Sequence, residues 1–212
     1  KQALVGLQSL GGGATQDPPL NQMQPIIDLY TQGQLKQALT EINQMLKKFP
    51  NSVVLYNISG TCNTGLNQFD AAIDSYQKAL KINPKFAEVY SNMGAAFKQK
   101  GDPQAAIDSY KKALKINPGV AEAYQNMGQA LNDMGKSVAA IDSYKKALKI
   151  RPSYAEAYNN MGIALRDMGN NEAAIDSYKK ALKIKPDFAE AYNNIGIALN
   201  DKGDSEAAID SY

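Results

Sequence analysis

The chain has no tryptophan, no histidine and a single cysteine, Cys62, among 212 residues. Without histidine it lacks the side chain that most often acts as a general base near neutral pH and most often ligates metal. One cysteine excludes an internal disulfide framework. Catalysis is therefore not expected within these residues, and nothing asks for a metal or an organic cofactor. Cys62, at a small-residue position of its helix, is expected to be a buried packing residue. Charge of one sign is also scarce: 23 Lys and Arg against 21 Asp and Glu leave a formal net charge of +2, which gives no overall pull toward nucleic acid or membrane. No stretch approaches the run of about 18 apolar residues that a membrane helix needs. The opening KQALVGLQSL is too short and too polar for a secretory signal, so a cytoplasmic location is favoured. Lys rather than Met stands first, and Tyr212 falls partway through an expected helix. Both lead us to expect a segment of a larger protein.

What the chain does contain is one motif repeated every 34 residues. AEVYSNMGAAFKQKGDPQAAIDSYKKALKINPGV at 87–120 recurs at 121–154, at 155–188 and, shortened, at 189–212; 53–86 fits well and 19–52 loosely. Such a period is the mark of a stacked repeat array. Tyr56, Tyr90, Tyr124, Tyr158 and Tyr192 hold the fourth place of each unit, and Gly60, Gly94, Gly128, Gly162 and Gly196 the eighth. Ala72, Ala106, Ala140, Ala174 and Ala208 hold the twentieth, and Tyr76, Tyr110, Tyr144, Tyr178 and Tyr212 the twenty-fourth. Ala79, Ala113, Ala147 and Ala181 follow at the twenty-seventh, and Pro50, Pro84, Pro118, Pro152 and Pro186 at the thirty-second. The small residues mark close helix approach, and the tyrosines fill what remains.

Each unit reads as two helices of about a dozen residues. Gly33, Gly101, Gly135, Gly169 and Gly203 suit a left-handed helix end between them. Asp102 followed by Pro103 reads as an N-cap with proline at the first helical position, and Asp204 repeats the capping half. The prolines at the thirty-second place end the second helix, and Asn51, Ser153 and Asp187 are expected to cap the next first helix. No strand pattern competes.

This arrangement resembles the tetratricopeptide repeat, with a large residue at place 4, a small one at 8, alanine at 20 and 27 and proline at 32. The resemblance covers roughly 19–212 and implies an all-α fold, a right-handed α-α superhelical solenoid of helix-turn-helix units. The expected organisation is an arm and flexible linker over 1–18, a divergent capping unit at 19–52, units at 53–86, 87–120, 121–154 and 155–188, and a partial unit at 189–212. Tyrosine replaces the family's usual tryptophan at place 4, and 19–52 carries Gln22, Pro25 and Ile26 where Tyr, an aliphatic and Gly belong; terminal units are commonly atypical because they cap the stack. GGGATQDPP at 11–19 is a turn-rich linker, preceded by Ala3, Leu4, Leu7 and Leu10 at helical spacing. That stretch is either a frayed terminus or an amphipathic arm docking on an apolar surface. The arm and the shortened C-terminal unit are the two expected routes to self-association.

Function has to come from positions that repeat without being needed for packing. Places 2, 6, 9 and 13 of the first helix share one stripe opposite its apolar face. That stripe carries Asn92, Asn126, Asn160 and Asn194 at place 6, Glu88, Glu122, Glu156 and Glu190 at place 2, and Asp133, Asp167 and Asp201 at place 13. The family resemblance implies that first helices line a concave groove, here mildly acidic. An asparagine amide can bond a peptide N–H and C=O together, and the row is similar to the asparagine ladder of O-linked N-acetylglucosamine transferases, where such residues hold extended peptides. The expected partner is a protein or peptide segment, extended or helical. Two alternatives stay open for these residues: asparagine as a family consensus residue bonding a neighbouring helix, and glutamate as complement to the helix dipole in the first turn.

The chaperone-tail adaptors of the same family grip a C-terminal carboxylate with Lys or Arg at places 2 and 6, where this chain has Glu and Asn. That scheme is disfavoured. Lys111, Lys112, Lys115, Lys145, Lys146, Lys149, Lys179, Lys180 and Lys183 sit on last turns of second helices as a solvated face, with Asp108–Lys112, Asp142–Lys146 and Asp176–Lys180 as four-apart pairs. A pI near 8.4 lies below the basic footprint of a nucleic-acid binder. The favoured reading is a non-catalytic interaction scaffold. The alternative is the substrate-recruiting region of a larger enzyme, glycosyl- or sulfotransferase-like, whose catalytic domain lies beyond Tyr212.

Overall fold

The 34-residue period resolves into paired helices joined by one recurring turn. A computed structural model describes residues 17–204 and Ala208, and among these it shows eleven α-helices and no strand. They are α1 (Leu20–Thr31), α2 (Leu35–Lys48), α3 (Val53–Gly65), α4 (Phe69–Ile82), α5 (Ala87–Lys100), α6 (Pro103–Ile116), α7 (Ala121–Asp133), α8 (Ser137–Ile150), α9 (Ala155–Asp167), α10 (Asn171–Ile184) and α11 (Ala189–Asp201). The chain forms two compact units, one ending at Ile116 and holding α1–α6, the other beginning at Asn117 and holding α7–α11. The arm residues Ala3, Leu4, Leu7 and Leu10 and the helix expected to run to Tyr212 lie outside the described residues.

The turn inside each helix pair is a Schellman closure. Gly101 adopts φ 90°, its N–H reaches Lys98 O at 3.0 Å, and Asp102 N–H reaches Phe97 O at 2.9 Å. Gly33, Gly135, Gly169 and Gly203 repeat the positive φ, and Asn67, at φ 58°, takes the glycine's part after α3. Asparagine is among the few residues that tolerate this region. Asp102 caps α6 as expected, Oδ1 accepting from Ala105 N–H at 3.0 Å, and Asn170 caps α10 through Ala173 N–H at 3.4 Å.

The expected caps of the first helices are not the observed ones. Ser52, not Asn51, caps α3, its Oγ accepting from Leu55 N–H at 3.1 Å. The residues before α9 and α11 are Tyr154 and Phe188, with no side-chain cap, rather than Ser153 and Asp187. Phe188 packs on Ala155, Ala181 and Ala191. Burying an aromatic ring there outweighs the roughly 1 kcal/mol of a polar cap.

Glycine at the eighth place is required by the tyrosine at the twenty-fourth. Tyr76, Tyr110, Tyr144 and Tyr178 are at most 1% exposed, and a Cβ built on Gly60, Gly94, Gly128 or Gly162 would stand 2.4, 2.8, 2.7 or 2.5 Å from the matching ring. The ring therefore lies flat on the bare backbone of its own first helix. In the first compact unit Tyr76 belongs to a core with Val53, Ala72, Ile73, Ala79, Val89, Met93 and Ala96. In the second, α8 to α11 repeat it with Ala140, Tyr144, Met161 and Ala164, then Ala174, Tyr178, Ile195 and Ala198. Buried Ser75, Ser109, Ser143 and Ser177 each satisfy their hydroxyl on the carbonyl four residues back, and Ser75 Oγ also lies 3.3 Å from Ser59 Oγ of α3.

At the N-terminal end Met23, Ile26, Ala38 and Ile42 form a core with Val54, Leu55, Ile58 and Cys62. Cys62 is fully buried, and burial pushes its thiol up to about 11. The linker expected to be flexible over 11–19 is tied down at its end. Asp17 Oδ1 accepts from Ser52 Oγ at 2.5 Å and from Val54 N–H at 3.2 Å, and Pro18 is buried. A carboxylate at the positive end of α3 supplies the reason.

Candidate peptide-binding face

The residues of the first-helix stripe differ in how far they reach solvent. Asn92, Asn126 and Asn160 are half-buried, whereas Asn194 is 7% exposed. Glu88 and Glu122 are half-buried, and Glu156, Glu190, Asp133, Asp167 and Asp201 are more open to solvent, Asp167 at 39% of its side chain. The stripe is thus not uniformly solvent-facing: places 2 and 6 also look along the neighbouring first helix.

In the first compact unit Asn57 of α3 donates from Nδ2 to Glu88 Oε1 of α5 at 3.3 Å, and Asn92 of α5 donates from Nδ2 to Asn57 Oδ1 at 3.0 Å. In the second the same chain links α9 and α11: Asn159 Nδ2 to Glu190 Oε1 at 3.0 Å, and Asn194 Nδ2 to Asn159 Oδ1 at 3.0 Å. The linking amides at place 5 are 4% and 1% exposed. Sequence reasoning passed over place 5, although Asn57, Gln125, Asn159 and Asn193 all stand there. Its amides are interrupted by Ser91, unlike the unbroken row at place 6 from Asn92 to Asn194; what the period does not show is that Asn57, Gln125 and Asn159 are buried while Asn193 stays exposed. Desolvation raises the Glu88 carboxyl above its ordinary range, and the bond from Asn57 opposes that shift.

The asparagine row stops at α3 for a packing reason. Ile58, which takes its place there, is 6% exposed in the core shared with Met23 and Ile26, where an amide would be buried without a partner.

The acids at the far end of the first helices are also engaged. Asp167 Oδ2 accepts from Asn132 Nδ2 at 3.0 Å, and the Arg166 guanidinium lies 3.7 Å from Asp167 Oδ1. At the opposite end, in the first turn of α7, Glu122 bonds Arg151, whose guanidinium stacks 4.8 Å over the Tyr154 ring. Burial, then Glu122, push the Tyr154 hydroxyl up, and Arg151 pulls it back. Tyr144 is raised beyond its ordinary range by burial, with Asp133 and Asp167 of the far end adding to it.

The lysines of the second helices lie mostly at the exposed surface, but the expected four-apart pairing is partly replaced. Lys112 and Lys146 lie 5.8 Å over the rings of Tyr90 and Tyr124, while Asp108 stands 4.0 Å from Lys111. The i,i+4 geometry is realised one repeat earlier, between Asp74 and Lys78 at 2.7 Å. Among the described residues no helix is long and apolar enough to cross a membrane.

Comparison with known proteins agrees with this architecture. The family model described as TPR repeat matches residues 65–101, 128–169 and 162–203, and two described as Tetratricopeptide repeat match 87–120 and 109–142. No curated protein sequence matches the chain. A crystal structure of MamA protein is 34% identical, with a TM-score of 0.69, over 75% of this chain and 87% of that one. A tetratricopeptide repeat protein from Parabacteroides merdae superimposes with a TM-score of 0.78 at 18% identity, over 90% of this chain and 76% of that one. YrrB, described as a TPR protein with an unusual peptide-binding site, gives 0.67 at 20% identity, over 90% and 96%. The last two show the fold alone. A repeat model matching more than half of the chain, an all-helical architecture among the described residues in which Gly60, Gly94, Gly128 and Gly162 at place 8 meet the tyrosines at place 24, and a MamA-like relative at 34% identity together place the chain in the tetratricopeptide repeat family, as an all-α solenoid protein.

Proposed function

We propose that the chain is a non-catalytic protein–protein interaction scaffold, and that each compact unit offers its first-helix face to an extended peptide segment. The observation that carries the reading is the unspent hydrogen-bonding capacity of half-buried Asn92: after its bond to Asn57 the amide keeps one N–H and its carbonyl. Half-buried Asn126 and Asn160 hold the same place on α7 and α9. Glu88, Glu122, Glu156 and Glu190 beside them, with Asp133, Asp167 and Asp201 at the far end of the helices, favour a basic segment. Asn194 is a weaker candidate because it is buried and donates to Asn159.

The test is fluorescence anisotropy of an unstructured Gly-Ser-Lys repeat peptide against the protein and against Asn92→Ala/Asn126→Ala/Asn160→Ala. Each lost backbone bond removes about 0.5–1.5 kcal/mol, so the triple variant should weaken binding by one to three tenfold steps at about 1.4 kcal/mol per step. Salt should reduce the contribution of the acids and leave that of the amides. Equal affinities with equal melting curves would reduce the asparagines to inter-helix glue.

A further inference from the structure

We propose that Asn57 and Glu88 are positioning residues that fix the flip of the Asn92 amide, and through it the direction in which an extended segment crosses α5 and α3; this rests on the peptide-binding reading above. A carboxylate can only accept hydrogen bonds. With Glu88 Oε1 3.3 Å from Asn57, the amide of Asn57 must show its NH2 to Glu88, which leaves its carbonyl facing the other way. Asn92, 3.0 Å from that carbonyl, must answer with an N–H. The flip of both amides is thus set by chemistry from the carboxylate outward rather than left open, as amide flips usually are.

The consequence is a polarity. Nδ2 of Asn92 faces α3, so Oδ1 of the same planar amide lies on the side away from α3. One Nδ2 hydrogen is taken by Asn57; the other remains beside the carbonyl as a donor–acceptor pair. A residue of an extended strand shows its own N–H and C=O on one edge, N–H first in the chain direction. To match, its N–H must meet Oδ1 on the side away from α3 and its C=O must meet Nδ2 on the α3 side. The segment therefore runs from α5 toward α3, opposite to the order of the helices in the sequence. The second compact unit carries the same carboxylate–amide–amide sense at Glu190, Asn159 and Asn194, although there the terminal amide is buried.

A six-residue Gly-Ser-Lys-Gly-Ser-Lys peptide bearing a nitroxide at its N-terminus or at its C-terminus, added to the intact chain, reads the direction by paramagnetic broadening. The N-terminal label should broaden α5 amides more than α3 amides, and the C-terminal label the reverse. The opposite pattern, or the same pattern from both labels, overturns the proposal. Glu88→Lys, a donor in place of an acceptor, should invert the two patterns; unchanged patterns in a folded variant overturn it as well. Should the peptide not bind, the peptide-binding reading fails for this probe, and the relay is judged in the free protein. There Glu88→Gln, able to donate or accept, should split or average the side-chain NH2 signals of Asn57 and Asn92. Signals unchanged from the parent would show that Glu88 imposes no flip.

Discussion

Replacing the glycines at the eighth place by alanine sets two opposed magnitudes against each other. Alanine in a helix interior is favoured over glycine by about 1 kcal/mol, whereas forcing an extra methyl into a filled core costs about 1–3 kcal/mol. At Gly60, Gly162, Gly128 and Gly94 the new Cβ would lie 2.4, 2.5, 2.7 and 2.8 Å from ring carbons of Tyr76, Tyr178, Tyr144 and Tyr110. The propensity gain is common to all four sites, so differences among them report the steric part. Gly60→Ala should be the worst, losing about 2 kcal/mol net at the upper end of that steric cost, because the Tyr76 hydroxyl is also held 3.4 Å from Thr61 and Thr64, which leaves its ring less room to yield. Gly94→Ala should lose about 1 kcal/mol or less. Repeat arrays open unit by unit rather than all at once, so the measurement is native-state hydrogen exchange of the helix pair concerned, not a single melting temperature. Adding Tyr76→Leu to Gly60→Ala should recover part of the loss, a positive coupling in the double-mutant cycle. Uniform stabilisation by about 1 kcal/mol at all four sites, the bare propensity gain, would refute the reasoning, since the rings would then have room to spare.

Asp17→Ala should loosen the start of α3 by about 1 kcal/mol, the usual worth of a lost N-terminal cap, seen as faster exchange of Val54 N–H; unchanged exchange would mean that Ser52 alone holds that end. Glu88→Gln addresses linkage. The folded-state value of Glu88 is raised, so the folded protein holds its proton in the window just above the ordinary carboxylate range, and stability falls as pH rises through that window. Glutamine would keep an acceptor for Asn57 without a charge to desolvate, so the variant should be at least as stable as the parent at neutral pH, with that advantage shrinking in acid. Chemical denaturation on either side of the carboxylate range checks the sign. Cys62, fully buried with its thiol pushed up to about 11, should resist alkylation at neutral pH until denaturant is added; rapid labelling of the native protein would contradict its packing with Met23 and Ile26.

The elements that the sequence makes legible are those that packing repeats without variation. Tyr110 and Gly94 recur together because each is the other's condition, and Gly101 because its φ of 90° admits little else. First-helix caps were less legible: Ser153 and Asp187 have capping chemistry, but the ring of the following residue needs the site. The docking of Asp17 was hidden for another reason, since its partners Ser52 and Val54 lie 35 and 37 residues away and Asp17 itself stands in the linker, outside the repeat units whose period makes contacts legible.

The asparagine row shows where repetition stops being informative. A period names the helix face of a residue but cannot say whether it meets a ligand or the next helix, because stacking identical units creates both environments at once. Asn92 occupies both: one hydrogen is committed to Asn57, the rest of the amide is half-buried at the face. Asn194 lies at the other limit, 7% exposed. On the peptide-binding reading proposed above, the ligand role and the inter-helix role of these asparagines are therefore not rivals. Bonding the neighbouring helix is what orients the amide, and an amide held in one orientation gives up less conformational freedom when it takes a ligand. A free asparagine at the same place would have the same donors and acceptors but no preferred direction, which is why the buried amides of Asn57 and Asn159 belong to the peptide-binding reading proposed for this face.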